Sequence, residues 1–540
     1  MKEADIILKS NAIFDAVADR PSPGFVAVLG NRILAVGKPG EDAEYQGAQT
    51  KVYDLGERLV MPGFHDSHVH LLMSGMYRTC ADLHDAKSED EACRMLKEYC
   101  EKNPSTEEWV IGFSWYQIYW DVQELPTVAS LDKYFPDRPC FLLNAELHGV
   151  WVNSKALEIA GITKDTPDPL GGIIERDKDG NPTGFLYETA IGLAGQHALK
   201  FTPAEEKRYL RSFMEGAAPL GITSVNDLMP YFRGNIGTVS VYSEMDKDGE
   251  LTVRINASPD LLGDLDEVVG WREAYTSEKI TVRLLKQFLD GVATTHTALM
   301  IDDYSDAPGN RGIPLADLEM VRKAVLEAHK RELSVKLHSC GDYSCRLALD
   351  YYEEAIKTHG KNGCRHTIEH LELVDPADVP RFTELGVIPS MQPEHIAAQT
   401  YAGSVYPSRF GPERMKMTWP LKTMLDAAGV IAIGTDSPVV SNNPFFEIYR
   451  AVTRVHEDKL PAGGDNPQEK LTMTEVLRGY TYGSAYGVRR EHDLGTLEAG
   501  KLADIAVIDR NLFTISDNEE ILDASVCLTV MDGKVIHENL

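Results

Sequence analysis

The sequence predicts an α/β protein: a (β/α)8 TIM barrel, a small β-sandwich formed from both termini, and an insertion after the first barrel strand. In the middle of the chain, short apolar runs alternate with amphipathic helical stretches, which is typical of parallel βα units. Both ends instead consist of short strand-like runs broken by Gly, Asn and Asp. Roughly 150 residues separate His70 from Gly221, more than one βα connection needs.

The β-sandwich is predicted over residues 1–62 and 487–540. Runs such as "GFVAVLGNRILAVG" near one end and "VCLTVMDGKVIHE" near the other are typical of short strands joined by turns. Neither end is long enough to bury a good core alone. We therefore expect the two ends to pack together into one unit.

The barrel is predicted over residues 63–486, with its first strand ending at His68 and His70. An amphipathic helix is predicted over 315–333. Seven further strands are predicted at 221–227, 251–259, 280–291, 333–342, 364–371, 385–393 and 429–438. Eight strands that alternate with helices fit a closed (β/α)8 barrel. The insertion, at about 86–215, is expected over the C-terminal mouth of the barrel, where substrates bind.

Composition excludes several function classes. The chain has 540 residues and a net charge of −29, which disfavours binding to nucleic acid or an anionic membrane. No apolar run is long enough to span a bilayer, and the N-terminus has no signal-peptide pattern. The eight cysteines are scattered without a Cys-x-x-Cys pair, which indicates reduced thiols. We expect a cytoplasmic protein that acts on a small molecule, and by default a homodimer.

The stretch "MPGFHDSHVH" indicates a metal site. His68 and His70 are one residue apart, and alternate residues on a strand face the same way, so both can bind one ion. Four more candidates lie on or at the ends of other predicted strands: Lys286, His338, His370 and Asp436. Each of these four, taken alone, is better explained as a structural residue. Together they indicate one site, because barrel active sites gather at the strand C-termini.

The pattern resembles the amidohydrolase superfamily of metal-dependent hydrolases. "PGFHDSHVH" is similar to its first-strand signature, and "GTLEAGKLADIAVID" to the returning strand pair of its small β-domain. The finer resemblance is to the YtcJ-like branch, which includes N-substituted formamide deformylase. It is carried by Lys286 with the following Asp290-Gly291, by "RHTIEH" and by "HGVWVNSKAL".

The resemblance implies a binuclear centre, most simply with two zinc ions. His68 and His70 would bind the more buried ion, and His338 and His370 the second. Lys286 would be carboxylated by CO2 and bridge the ions, which is chemically sensible because a free ammonium would repel a dication. Asp436 would bind metal and act as general acid and base, moving a proton from the attacking water to the leaving nitrogen.

Four further residues are candidates for substrate binding. The resemblance suggests that His148 contacts the substrate or its oxyanion, with a structural loop histidine as the alternative. Trp115 could wall the pocket, although core packing is the more common role of tryptophan. His296 and His395 follow predicted strands and could point into the mouth. Cys340 is set aside because nothing else selects sulfur, and His366 is expected to be structural or to support a ligand.

The predicted function is hydrolysis of a C–N bond in an amide, formamide or similar small molecule. A mononuclear heterocycle deaminase is an alternative, but that class lacks the lysine found here as Lys286. A non-catalytic scaffold homologue is the other alternative, and such proteins lose metal ligands that are all present here. Substrate specificity lies in the βα loops and the insertion, which the motifs do not determine.

Overall fold

The computed structural model describes residues 3–104, 107–231, 235–397 and 400–540. Its centre consists of parallel strands in two sheets. The first sheet has the spatial order Ile280–Val282, Arg254–Ser258, Ile222–Leu228, Phe64–Val69. The second has the order Leu284–Phe288, Ser334–Ser339, Thr367–His370, Ile388–Met391, Ala432–Ile433. Each strand lies inside its predicted segment or extends at most one residue beyond it. The single strand predicted at 280–291 is a correction, because that segment forms two strands, Ile280–Val282 in the first sheet and Leu284–Phe288 in the second.

The edges of these two sheets meet at isolated parallel bridges. One bridge joins Val69 to Ser437 and another joins Asp260 to Lys286. At the first junction, the Asp436 N–H donates to the His68 carbonyl at 2.6 Å. A continuous eight-stranded barrel stays a prediction, since the strand ladder is interrupted at both junctions. The alternation of parallel strands and helices is confirmed.

Several of the helices begin at a capping side chain. Asp317 accepts from the N–H groups of Glu319 and Met320, which starts the helix Leu318–Lys330 inside the segment predicted at 315–333. The α-helices are Leu71–Tyr77, Glu89–Lys102, Val128–Tyr134, Ser154–Ala160, Ile191–Ala198, Pro203–Ala217, Val239–Lys247, Leu265–Ala274, Leu318–Lys330, Asp342–His359, Val379–Leu385, Tyr406–Arg414, Leu421–Ala428, Pro444–Thr453, Met473–Arg478 and Ser484–Gly487. None of the helices in the described ranges has both the length and the apolar character to cross a membrane.

Strands from both ends of the chain share one sheet of eight strands. Leu59–Pro62 pairs antiparallel with Ile505–Ile508 and thereby joins the two ends. The strands are Ile6–Ile13, Ser22–Leu29, Arg32–Gly37, Lys51–Asp54, Leu59–Pro62, Ile505–Ile508, Val526–Met531 and Lys534–Glu538. The β-sandwich arrangement and its boundaries, 1–62 and 487–540, stay predictions.

A buried ion pair fastens this terminal sheet to the parallel strands. Arg254, on the strand Arg254–Ser258, is fully buried. Its guanidinium donates to both carboxylate oxygens of Asp504, at 2.7 and 2.9 Å, and to Asp532 at 3.0 Å. A buried charge without its partner is strongly destabilising, so the parallel sheet depends on residues near the C-terminus.

The insertion forms a separate mixed sheet of six strands. Their order is Gly172–Arg176, Pro182–Glu188, Gly149–Val152, Cys140–Asn144, Val110–Trp115, Ala81–Asp82. Trp151 and Phe185 pack edge to face against Trp115 in its core, with ring centroids 5.8 and 5.5 Å, respectively, from that of Trp115. The loop between two of these strands and the end of a third supply residues to the site described next.

Candidate metal centre

His68 and His70 point their Nε2 atoms at Asp436. The strand Phe64–Val69 ends one residue before His70, so His70 lies just beyond it. Asp436 Oδ1 is 3.1 Å from His68 Nε2 and 3.4 Å from His70 Nε2. Two ligands of a tetrahedral zinc ion, bound at 2.0–2.1 Å, lie about 3.3 Å apart. The three atoms are therefore spaced as ligands of one ion would be.

The other ring nitrogen of each of these two histidines, Nδ1, has a hydrogen-bond partner. His68 Nδ1 lies 2.6 Å from Glu369 Oε2, and His70 Nδ1 lies 2.8 Å from the Leu228 carbonyl. Because only an Nδ1–H can donate to these oxygens, each neutral ring has its lone pair on Nε2, toward Asp436. Burial alone would raise the pKa of Glu369, but the neighbouring Lys336, 2.9 Å away, and His68 lower it. Glu369 is thus an ionised partner that sequence reasoning did not assign.

His338 and His370 lie next to this group: their ring centroids are 4.3 Å apart, and the His370 centroid is 4.8 Å from that of His68. Ligand atoms of His68, His370 and Asp436 lie within 4.8 Å of one another, as do those of His338, Cys340 and His370. Cys340 Sγ is 3.4 Å from His338 Nε2. The cysteine that sequence reasoning set aside is therefore at the cluster, because the chain turns directly after the strand Ser334–Ser339.

Lys286 is buried beside the histidines. Its Nζ has no hydrogen-bond partner in the described part of the chain and lies 4.9 Å from the centre of the Phe288 ring. Burial lowers the pKa of Lys286 to about 8, against the raising effect of Glu369 and Asp436. A lysine of lowered pKa is neutral more often, and the neutral amine is the form that reacts with CO2.

The protonation states suit a cation. Burial lowers the pKa values of His70, His338, His370 and His395, so these imidazoles are neutral, as metal ligands must be. For Asp436, burial acts to raise the pKa, but the nearby imidazoles, His68 foremost, outweigh it and the pKa is low. The cluster therefore combines neutral nitrogens with one ionised carboxylate.

The cluster also contains buried polar atoms that nothing satisfies. Within the described ranges, these atoms have no hydrogen-bond partner: His68 Nε2, Lys286 Nζ, His370 Nδ1, His370 Nε2, His395 Nε2 and Asp436 Oδ1. Buried polar atoms are normally paired, and so many open ones in one place need an explanation. A divalent ion bound by nitrogen and oxygen fits this donor set.

Left-handed backbone at two strand ends presents these side chains. His370, Leu371 and Asp436 have φ values of 72°, 54° and 64°. Non-glycine residues seldom adopt this conformation, and the surrounding structure has to hold them there. The Leu371 N–H donates to the Ser339 carbonyl, and the Asp436 N–H to the His68 carbonyl. Neighbouring strand ends thus hold each other in the strained geometry.

Asp290, of the Asp-Gly pair that follows Lys286, anchors the loop after His338. Its carboxylate accepts from the N–H groups of Cys340 and Gly341 at 3.1 and 3.0 Å and from the Ser344 hydroxyl at 2.7 Å. Burial raises the pKa of Asp290 to about 7. Its role is to position the cluster rather than to join it.

The predicted substrate-binding residues divide into two groups. His395 Nε2 lies 3.5 Å from Asp436 Oδ2, and the His148 ring centroid lies 6.1 Å from that of His338. His296 instead pairs with Asp306 at 3.0 Å and is absent from the described lining of the cavity. Trp115 is fully buried in the insertion, where its indole N–H donates to the Leu142 carbonyl at 2.8 Å. It has no free surface with which to wall a pocket.

His148 carries a positive charge at neutral pH. Burial lowers its pKa, but Glu188, whose Oε2 lies 2.6 Å from Nδ1, outweighs this and raises the pKa to about 9. Glu188 in turn accepts from the Thr297 hydroxyl at 2.7 Å. Sequence reasoning missed Glu188, which comes from a different strand of the insertion sheet.

A cavity of about 60 Å³ opens onto this cluster. Its lining residues are Glu146, His148, Val292, Thr294, His338, Cys340, His370, Glu372, His395, Tyr406, Asp436, Val439 and Val440. The insertion therefore reaches the cluster through Glu146 and His148. A small polar molecule placed there would lie among imidazoles and carboxyl groups.

Known proteins are similar in sequence to this chain over most of its length. The profile of the amidohydrolase family matches residues 51–537. LONG AFTER FAR-RED 3 of Arabidopsis thaliana is 30% identical over 99% of this chain and 92% of its own length. The putative amidohydrolase YtcJ of Bacillus subtilis is 28% identical, with 92% of each chain covered.

Two further relatives carry names that describe chemistry. The N-substituted formamide deformylase of Arthrobacter pascens is 27% identical over 95% of this chain and 94% of its own. The crystal structure of an uncharacterized metal-dependent hydrolase from Pyrococcus furiosus has a TM-score of 0.73 and 26% identity, covering 94% of this chain and 99% of that one. The suspected YtcJ-like resemblance is confirmed. The chain belongs to the amidohydrolase family and is a hydrolase.

Proposed function

We propose that this protein is a metal-dependent hydrolase that cleaves the C–N bond of an amide, formamide or similar small molecule. The observation that carries the proposal is the group of buried, unpartnered nitrogen and oxygen atoms around Asp436. The name of the Arthrobacter pascens relative supports action on a formamide, and that of the Pyrococcus furiosus structure supports metal-dependent hydrolysis. In this proposal the two parallel sheets are the halves of one (β/α)8 barrel.

Two zinc ions are proposed, and the arrangement of the side chains supports the following ligands. His68, His70 and Asp436 would hold one ion, and His338 and His370 would hold the second. Lys286, carboxylated by CO2, would bridge the two. Ions bound there lower the pKa of water toward neutrality and polarise a carbonyl group.

Asp436 is the proton carrier in the proposed reaction. Its carboxylate is ionised, so it accepts the proton of the attacking water and then delivers it to the leaving nitrogen. Glu369 holds the His68 ring so that its Nε2 stays toward Asp436. Both roles depend on the low pKa values that neighbouring cations and imidazoles maintain.

His148 is the group placed to stabilise negative charge on the substrate oxygen. Glu188 keeps its imidazole protonated and fixes its orientation. A preorganised cation at the cavity wall stabilises charge that develops during attack on a carbonyl carbon. The proposal therefore gives the insertion a direct part in catalysis.

Metal content and turnover test the proposal together. Purified protein loaded with zinc is assayed against a panel of N-formyl and N-acyl amines, with free amine measured as the product. About two zinc equivalents per chain with turnover supports the proposal. One equivalent with deamination of a heterocycle supports the mononuclear alternative, and no bound metal supports the scaffold alternative.

A further inference from the structure

Glu372 is a buried carboxyl group on the cavity wall that the proposed hydrolysis does not use. The residue is 3% exposed, and its Oε2 has no hydrogen-bond partner among the described residues. Its Oε1 receives only a long hydrogen bond of 3.4 Å, from the Tyr406 hydroxyl. Buried carboxyl oxygens are normally paired, so an open one facing a cavity indicates a partner that arrives with the ligand.

The strained turn after His370 places Glu372 on this wall. His370 and Leu371 are both left-handed, and the Leu373 N–H donates to the Cys340 carbonyl at 3.0 Å, which holds the turn. As a result, His370 and Glu372 both line the cavity. Backbone strain of this kind persists where a side chain has to be aimed.

The cavity has acidic groups without a matching cation. Glu146 lines it together with Glu372, and neither Lys nor Arg is among the described lining residues. His148 is the cationic group present, and its charge is already paired with Glu188. Among the described residues, no cationic side chain is hydrogen-bonded to Glu372.

Space for a longer molecule continues from this wall. A neighbouring cavity of about 450 Å³ shares Glu146, Val439 and Val440 with the catalytic cavity. A substrate can therefore place one end near Asp436 and Glu372 and extend the remainder past Glu146. The acidic wall lies close to the position of the scissile bond.

We propose that Glu372 binds a protonated amine of the substrate, so that the substrate is an amide with a primary ammonium group near the scissile bond. This inference rests on the proposed C–N hydrolase function and narrows its substrate class. A charge-assisted hydrogen bond to Glu372 Oε2 supplies the missing partner, and Glu146 adds negative potential on the same cavity.

Two matched pairs of compounds test the inference with the zinc-loaded protein. The first pair is the monoformyl derivative of ethylenediamine and N-propylformamide, which places the ammonium on the amine side. The second is glycine N-propylamide and N-propylpropanamide, which places it on the acyl side. In each pair the ammonium replaces a methyl group of similar size. Binding is measured by calorimetry and turnover by kcat/KM.

We expect the wild-type protein to prefer the ammonium compound of at least one pair by about 10-fold or more, and E372Q to lose that preference. E146Q should reduce the preference by less. E413Q, a change at an exposed glutamate, is the matched control and should leave it unchanged. Zinc content of E372Q should equal that of the wild type.

Three results would overturn the inference. These are equal binding of both members in both pairs, an unchanged preference in E372Q, or loss of zinc in E372Q, which would make Glu372 a metal ligand. Failure of the hydrolase proposal looks different. In that case none of the four compounds is turned over, while calorimetry still reports whether the ammonium preference exists and depends on Glu372.

Discussion

Two buried histidine clusters in this protein differ in how their nitrogens are satisfied. Ligand atoms of His329, Cys364 and His366 lie within 4.8 Å of one another, as close as those around Asp436. In that cluster the Val335 N–H donates to His366 Nδ1 at 3.0 Å, so the proton of the neutral ring is on Nε2. The Nε2–H of His366 donates to His329 Nδ1 at 2.9 Å, and the Nε2–H of His329 donates to the Gly360 carbonyl.

The comparison shows that proximity alone does not identify a metal site. Each of these ring nitrogens already has a partner within the protein, whereas the cluster at Asp436 has open nitrogens and oxygens. Burial lowers the pKa of His366 to about 3, which keeps the His366 ring neutral. A metal would have to break that chain of hydrogen bonds, but it would complete the other cluster.

The largest effect should come from D436N. Asparagine preserves the shape of the side chain but cannot accept and return a proton. We expect kcat to fall by about 10³-fold or more, within the range for loss of a general acid–base group. The measurement is turnover of the best amide found in the panel. D426N, at an exposed surface aspartate, is the control and should retain full activity. Full activity of D436N would remove the basis of the mechanism.

The next largest effect is on zinc content, which should differ between substitutions in the cluster at Asp436 and in the cluster of His329 and His366. H370A should lose about one of two zinc equivalents, since in the proposal His370 holds the second ion while the first keeps His68, His70 and Asp436. H366A should retain all of its zinc but lower the free energy of unfolding by about 2–4 kcal/mol, because the Val335 N–H loses its acceptor and a cavity forms. Elemental analysis and urea denaturation measure the two outcomes. Zinc loss from H366A would contradict the distinction.

A smaller effect is expected on the pH profile. With a pKa of about 9, His148 is protonated below that pH, so kcat/KM should fall as the pH rises through about 9. E188Q removes the main cause of the raised pKa, and burial then favours the neutral ring. The alkaline limb should move to lower pH, with the greatest loss near pH 8. An unchanged limb would exclude His148 as the titrating group. His366 gives no such limb, because it is already neutral.

The smallest effect on catalysis should come from W115F. Trp115 is part of the insertion core and makes one hydrogen bond to Leu142, so the change should lower stability by about 1 kcal/mol. Its kcat and KM should stay within about twofold of the wild-type values, since no surface of Trp115 reaches the cavity. A larger change in KM would show that the insertion core shapes the substrate site.

The sequence predicted residues that depend on strand position and missed those that depend on packing between elements. His68, His338 and Asp436 follow apolar runs, so the rule that active sites gather at strand C-termini selected them as candidates, and the structure places their side chains close together. Glu369 reaches His68 from another strand, and Glu188 reaches His148 across the insertion sheet. No local periodicity encodes such contacts.

The absence of such contacts from the local sequence pattern also explains why some residues have a different place in the structure from the one predicted. His296 and Trp115 are residue types that often line pockets. His296 instead forms a local ion pair, and Trp115 is buried by core packing. Cys340 and Glu372 had no supporting spacing, and the left-handed turn after His370 is what brings Glu372 to the cavity. Loop geometry of this kind depends on hydrogen bonds from neighbouring strands.

The ion pair of Arg254 with Asp504 and Asp532 has a consequence for biosynthesis. During translation, the arginine leaves the ribosome long before either carboxylate has been made. Until then its charge cannot be buried without a large cost, so the central strands cannot reach their final packing. The nascent chain therefore cannot complete the packing of its central strands until its last segments have been synthesised, although nearly all the residues of its site have been synthesised by then.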